Sequence, residues 1–124
     1  MATFQAFDDE GAFAAMLDAG NRLSTGLVDA AASVDLRVDV QGFPTMAMVT
    51  IDGDDWDRYL SHVWSGAMAR RGVRVHPTLA WYLCAALTHD QIGQVLDVAV
   101  DAFAEVADEI ARPTRVGPPA LRDL

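Results

Sequence analysis

The sequence predicts an α+β fold: a two-layer sandwich with a short antiparallel sheet and three helices on one face. Three observations predict it. Three long stretches carry apolar residues at steps of three or four, the mark of amphipathic helices. Between them lie short runs rich in Val, Ile and Met, bounded by Gly, Pro and Asp. The order reads helix, strand, strand, helix, strand, strand, helix, which suits two short antiparallel pairs backed by helices.

The first helix is expected from Asp8 to Val34. Phe13, Leu17, Gly20, Leu23, Leu27, Ala31 and Val34 form its apolar stripe. Asp8, Asp9 and Glu10 would sit at the positive end of its dipole. Gly20 and Gly26 weaken it slightly. Leu36–Val40 alternates apolar and polar, as a half-buried strand does. Gln41-Gly42-Phe43-Pro44 breaks it, and Thr45–Ile51 follows as the second strand. Asp52-Gly53 is a turn signal. Asp54 is expected to cap a helix running to Arg71, with Trp56, Leu60, Val63 or Trp64, and Ala67 on its apolar face. Gly72 suits its C-terminal cap.

Val73–Val75 reads as a third strand, interrupted by His76-Pro77. Trp81–Ala86 reads as a fourth. Thr88 and Gln91 then have the spacing of a capping box. The last helix carries Ile92, Val95 or Leu96, Ala99, Phe103, Val106 or Ala107, and Ile110, and Pro113 ends it. The domain is expected over 1–112. Residues 113–124, with Gly117-Pro118-Pro119, are expected to be a flexible tail.

Composition narrows the function. At 124 residues and 13.4 kDa the chain is one domain. Its 52% apolar and 22% charged residues belong to a globular protein. A net charge of −9 argues against nucleic acid or an anionic membrane as the main partner. No apolar run approaches the ~20 residues of a membrane span. Met1–Asp9 lacks the basic start and apolar core of a signal peptide, and one cysteine makes no internal disulfide. The expected location is cytoplasmic. All nine basic residues are arginine, so the chain has no lysine and cannot form a Schiff base through a lysine amine.

No complete catalytic constellation stands out. His62, His76 and His89 lack zinc-site spacing and read as surface or capping residues, so no metal is expected. The aspartates at 52, 54, 55 and 57 lack the glycine and distal glutamate of a calcium loop; a turn and a helix start explain them. Cys84, inside Tyr82-Leu83-Cys84-Ala85-Ala86, reads as a buried small hydrophobe. The stretch Trp81-Tyr82 reads as a buried strand, or as a loop and strand lining a neighbour's pocket.

Several segments together resemble a known family. Ala69-Arg70-Arg71-Gly72, then Gly72-Val73-Arg74-Val75-His76-Pro77, then Trp81-Tyr82-Leu83-Cys84-Ala85-Ala86-Leu87-Thr88, are similar to the C-terminal end of class III aminotransferases. The glutamate-1-semialdehyde aminomutase-like group is the nearest type. Gln41-Gly42-Phe43-Pro44-Thr45-Met46 resembles that family's entry to a strand, and Gly20-Asn21-Arg22-Leu23-Ser24-Thr25-Gly26-Leu27 its helix. The resemblance runs over about residues 8–110 in the family's order.

The resemblance implies the small C-terminal domain of a pyridoxal-phosphate (PLP) enzyme, whose large domain holds the cofactor lysine. The chain would then be the small subunit of a split aminotransferase- or aminomutase-like enzyme, beginning naturally at Met1. A separate large subunit would hold the PLP, in a heterotetramer. By resemblance, His76, Thr78, Leu79, Ala80 and Trp81 edge the substrate pocket. No residue of this chain would be catalytic or bind the cofactor. Thr78-Leu79-Ala80 stand where the family has Arg-His-Asn, and Leu87 where it has His. That leaves an apolar wall with Thr78 as one polar group, which implies a more hydrophobic substrate or a purely structural subunit. The alternative is a non-catalytic interaction or binding module that kept the small-domain fold.

Overall fold

A computed structural model describes residues 2–9 and 11–115. Its elements are α1 (Ala2–Asp9), α2 (Ala12–Ala32), β1 (Val38–Phe43), β2 (Met46–Ile51), α3 (Tyr59–Arg70) and α4 (His89–Ala111). The fold is α+β, with, among the described residues, a two-stranded antiparallel sheet and four helices rather than three.

The extra helix, α1, lies almost wholly ahead of the expected first helix, which was to begin at Asp8; Gly11, whose φ of 64° lies in the left-handed region, separates α1 from α2. Asp8 and Asp9 therefore end α1 instead of opening α2; Glu10 lies outside the described residues. Of the expected stripe, helix α2 buries Gly20, Leu23, Leu27 and Ala31, together with Ala19 and Ala30 beside them, while Leu17 is half-buried and Phe13 stays exposed. It stops at Ala32 rather than Val34. Asp35 takes a left-handed φ of 60°, and Leu36 N–H and Asp35 N–H donate back to Ala31 and Ala32. Asp tolerates this conformation better than most residues, so it does the work expected of a glycine.

Strand β1 begins two residues later than expected and runs through the expected break to Phe43. Gly42 makes this possible with a φ of 94°. The hairpin closes at Pro44-Thr45, with Phe43 opposite Met46 and Val38 opposite Ile51. Ala47, Val49 and Ile51 face inward. Gly20 of α2 crosses this hairpin at backbone distance: a Cβ there would lie 2.5 Å from the Pro44 carbonyl carbon.

Asp54 does cap α3, but from outside it. The helix starts at Tyr59, five residues beyond, because Arg58 is left-handed with a φ of 60°. The loop folds back so that Asp54 accepts from Leu60 N–H at 2.7 Å, Ser61 N–H at 3.0 Å and Ser61 Oγ at 2.6 Å. Trp56, expected on the apolar face of this helix, lies in the loop instead and is 64% exposed. At the other end Gly72 N–H and Val73 N–H donate to Ala69 and Met68, a glycine-ended helix stop as expected. The capping box of α4 is present: Gln91 N–H donates to Thr88 Oγ1 at 3.2 Å, and Thr88 N–H to Gln91 Oε1 at 2.9 Å.

Helices α2 and α3 pack on the sheet, and α4 packs on both of them. The core centres on Trp64, Phe103, Leu27, Met68 and Val106. Trp64 stacks on Phe103 at 5.3 Å between ring centroids. Ile110, expected on the buried stripe of α4, is exposed. After α4, Thr114 donates from N and Oγ1 to Glu109, and Arg115 pairs with Asp57 at 2.5 Å and covers the Tyr59 ring. Most of the tail expected from 113, residues 116–124, lies outside the described residues. Among the described residues no helix is long and apolar enough to cross a membrane.

Candidate functional site

Residues 73–83 form an extended arm between α3 and the turn before α4. Val73 and Val75 pack against the core while Arg74 and His76 face out. This alternation is strand-like, but 73–75 is not a strand, because no neighbouring strand pairs with it. A side chain holds it instead: Ser65 Oγ donates to the Val75 carbonyl at 2.7 Å. At His76-Pro77 the chain bends. His76 Nδ1 accepts from Thr78 N–H and Leu79 N–H, each at 3.1 Å, so the ring closes the bend from within. The exposed His76 thus closes a bend rather than capping a helix.

Beyond the bend the arm runs antiparallel along β2. Trp81 N–H donates to the Ala47 carbonyl at 2.9 Å and Leu83 N–H to the Thr45 carbonyl at 3.1 Å. The expected fourth strand, 81–86, shrinks to this contact. At Leu83 the arm leaves the sheet, and Leu87 N–H donates to the Cys84 carbonyl in a turn. Cys84 is lifted off the core by that turn and is exposed, not buried.

The pairing sorts the residues expected at a pocket edge. Trp81, opposite Ala47, turns inward, and its ring meets Trp64 at 6.3 Å. Its indole Nε1 is buried with no hydrogen-bond partner among the described residues, as is that of Trp64. Leu79 and Ala80 are exposed, and Thr78 is half-buried. The five residues therefore share one short arm but are divided, with Trp81 on the core side and Leu79 and Ala80 on the solvent side.

The same register brings together residues that sequence reasoning missed. Phe43 lies opposite Met46, and Tyr82 lies opposite Met46 on its other flank. All three point to the face of the sheet on which, among the described residues, no helix packs. They are 55%, 45% and 78% exposed. Met48 and Ala80 make a second row beside them. Alternation within each strand was legible in the sequence; the alignment of three strands was not.

The ionised groups lie elsewhere and act as ties. Glu105 bridges Arg70 and Arg71, and the Arg71 guanidinium foremost holds its carboxyl below the ordinary value. Asp57 is held down by Arg115, and Arg115 is held up by Asp57. Glu109 is held down first by the Thr114 N–H. Asp18, between Arg22 and His89, is lowered by Arg22 foremost. Asp18, Asp57 and Glu105 are ion-paired, and Glu109 accepts from Tyr59 and Thr114, so all four carboxylates serve as ties between segments. Among the described residues no three His, Cys, Asp or Glu gather as metal ligands.

No protein-family model matches the sequence, and no curated protein matches it. Among solved structures the chain is similar to the PLP internal aldimine form of the FumI protein of Sphingopyxis sp. MTA144. The two align with a TM-score of 0.82 and 25% identity over 89% of this chain. The match spans only 26% of that protein's chain. The fold is thus that of a fragment of a PLP-bearing protein.

The chemistry of this chain's own donor set decides whether it could hold PLP as that protein does. An internal aldimine joins the cofactor to a lysine amine, and there is no lysine among the 124 residues. The residues present do not fit the group.

Proposed function

We propose that this chain is the small subunit of a split PLP-dependent enzyme of the class III aminotransferase or aminomutase type, working in the cytoplasm. A separate, larger subunit carries the lysine and the cofactor, and the two form a heterotetramer. One observation carries the reading: a chain without lysine takes the shape of one quarter of a PLP-bearing protein. That sheet face, with Phe43, Met46 and Tyr82 in a row, supports it, because a free-standing domain gains nothing by leaving such a row in water.

In this reading the arm 76–82 lies where the two subunits meet. Its His76-closed bend fixes Thr78 and Leu79 in place, and Leu79 and Ala80 offer an apolar wall to the substrate. The wall excludes water from the neighbouring pocket, which strengthens electrostatic interactions inside it. The cofactor, held by the partner, would supply the electron sink for reactions at an amine-bearing carbon.

The test is reconstitution. The candidate large subunit is expressed with and without this chain, and its amino-transfer rate is measured on amines of increasing hydrophobicity. Activity is expected only with both chains present. Full activity of the large subunit alone would refute the proposal. A second reading, an independent interaction module, is favoured by the continuous buried core around Trp64 and Phe103, drawn from this chain's own residues. It predicts a stable chain that never associates with a cofactor-bearing protein.

A further inference from the structure

The two edges of the sheet differ. The outward carbonyls of β2 are all engaged: Ala47 by Trp81 N–H, Val49 by the Arg58 guanidinium at 3.1 Å and Ile51 by Asp54 N–H, and Thr45 just before the strand by Leu83 N–H. The outer edge of β1 is not. Asp52 N–H donates to the Arg37 carbonyl, so Arg37, Asp39 and Gln41 turn their backbone groups toward β2. By the same alternation Val38 and Val40 turn theirs away from it. Among the described residues no backbone or side-chain group bonds to them.

Beside this edge runs a groove between β1 and α2. It is lined by Ser24, Thr25, Val28, Asp29, Asp39 and Val40. Val28 and Val40 supply apolar floor, and Val28 is exposed. Asp29 and Asp39 supply negative charge, with no arginine paired to either among the described residues. An unpaired strand edge beside a groove is the geometry that accepts an added strand.

We propose that the β1 edge receives an extended segment of the larger partner subunit, which pairs with Val38 and Val40 and places a basic side chain between Asp29 and Asp39. The inference rests on the split-enzyme reading for the origin of that segment. Its chemistry follows from the groove alone: alternating small apolar and basic residues. A second copy of this chain fits poorly, because each copy carries a net charge of −9 and lacks lysine.

The test uses the isolated full chain and needs no cofactor or partner subunit. A synthetic seven-residue peptide alternating valine and lysine is added, with a valine–glutamate peptide as control, and amide hydrogen exchange is read residue by residue. The lysine peptide is expected to slow exchange at Val38 and Val40 at least about tenfold, leaving Gln41 unchanged. The double variant D29N/D39N is expected to weaken this binding about tenfold. Unchanged exchange at Val38 and Val40, or an equal effect of the glutamate peptide, would overturn the proposal. So would protection that rises with the chain's own concentration, which would make a second copy the occupant. Failure of the split-enzyme reading shows itself separately, as a chain isolated from its host without any cofactor-bearing partner.

Discussion

Replacing Asp54 by alanine is expected to destabilise the chain by about 2–4 kcal/mol. The side chain is 4% exposed and accepts four hydrogen bonds, from Asp55 N–H, Leu60 N–H, Ser61 N–H and Ser61 Oγ. Loss of a helix cap alone costs about 1 kcal/mol. The buried Ser61 hydroxyl, left without its acceptor, adds about 1–3 kcal/mol. Arg58 also loses its carboxylate partner at 3.7 Å. For a domain of this size the melting temperature should fall by about 10 °C. The assay is urea and thermal unfolding followed by circular dichroism, with Asp52→Ala and Asp55→Ala as controls. Those two exposed aspartates should change stability by less than about 0.5 kcal/mol. An Asp54→Ala variant as stable as the controls would refute the assignment of one capping aspartate among bystanders.

Three further outcomes follow from other contacts. Gly20→Ala should destabilise by about 2 kcal/mol or more, because the added Cβ overlaps the Pro44 carbonyl, whereas Gly93→Ala, with open space around it, should stabilise by up to about 1 kcal/mol; urea unfolding reads both signs. Glu105, Asp57, Glu109 and Asp18 all titrate below their ordinary values when folded, so their contribution is complete above those values, 4.5 for Glu and 3.8 for Asp, and is lost as pH falls through the folded ones. Stability should therefore hold from neutral pH to about 5 and drop below it, and Glu105→Gln should lessen the drop in a pH series of urea midpoints. Phe43→Ser and Tyr82→Ser should leave the isolated chain's stability within about 1 kcal/mol, since both are exposed, yet weaken binding to a large subunit at least about tenfold by calorimetry.

Local chemistry was the legible part of the fold. The Thr88–Gln91 box and the Gly72 stop each depend on a few neighbouring residues, and each is found. What failed depended on distance. The Asp54 cap reaches across a loop, so the helix began later than expected and Trp56 fell outside it. Gly42, with its left-handed φ, carries β1 through the segment whose glycine and proline are expected to break it. The arm at 81–83 pairs with β2 through only two bonds, too little to hold Cys84 against the core. At the candidate site, the His76 bend and the exposure of Leu79 sit within one short stretch. The row of Phe43, Met46 and Tyr82 spans residues 43 to 82 and exists only through the sheet register.

The central claim is tested most directly by isolating the tagged chain from its native host and recording its partners' masses and its visible absorption. The split-enzyme account predicts a larger, lysine-containing partner in equal amount and a PLP absorption band in the complex. A colourless chain recovered alone, or bound to a partner without the cofactor, would contradict it.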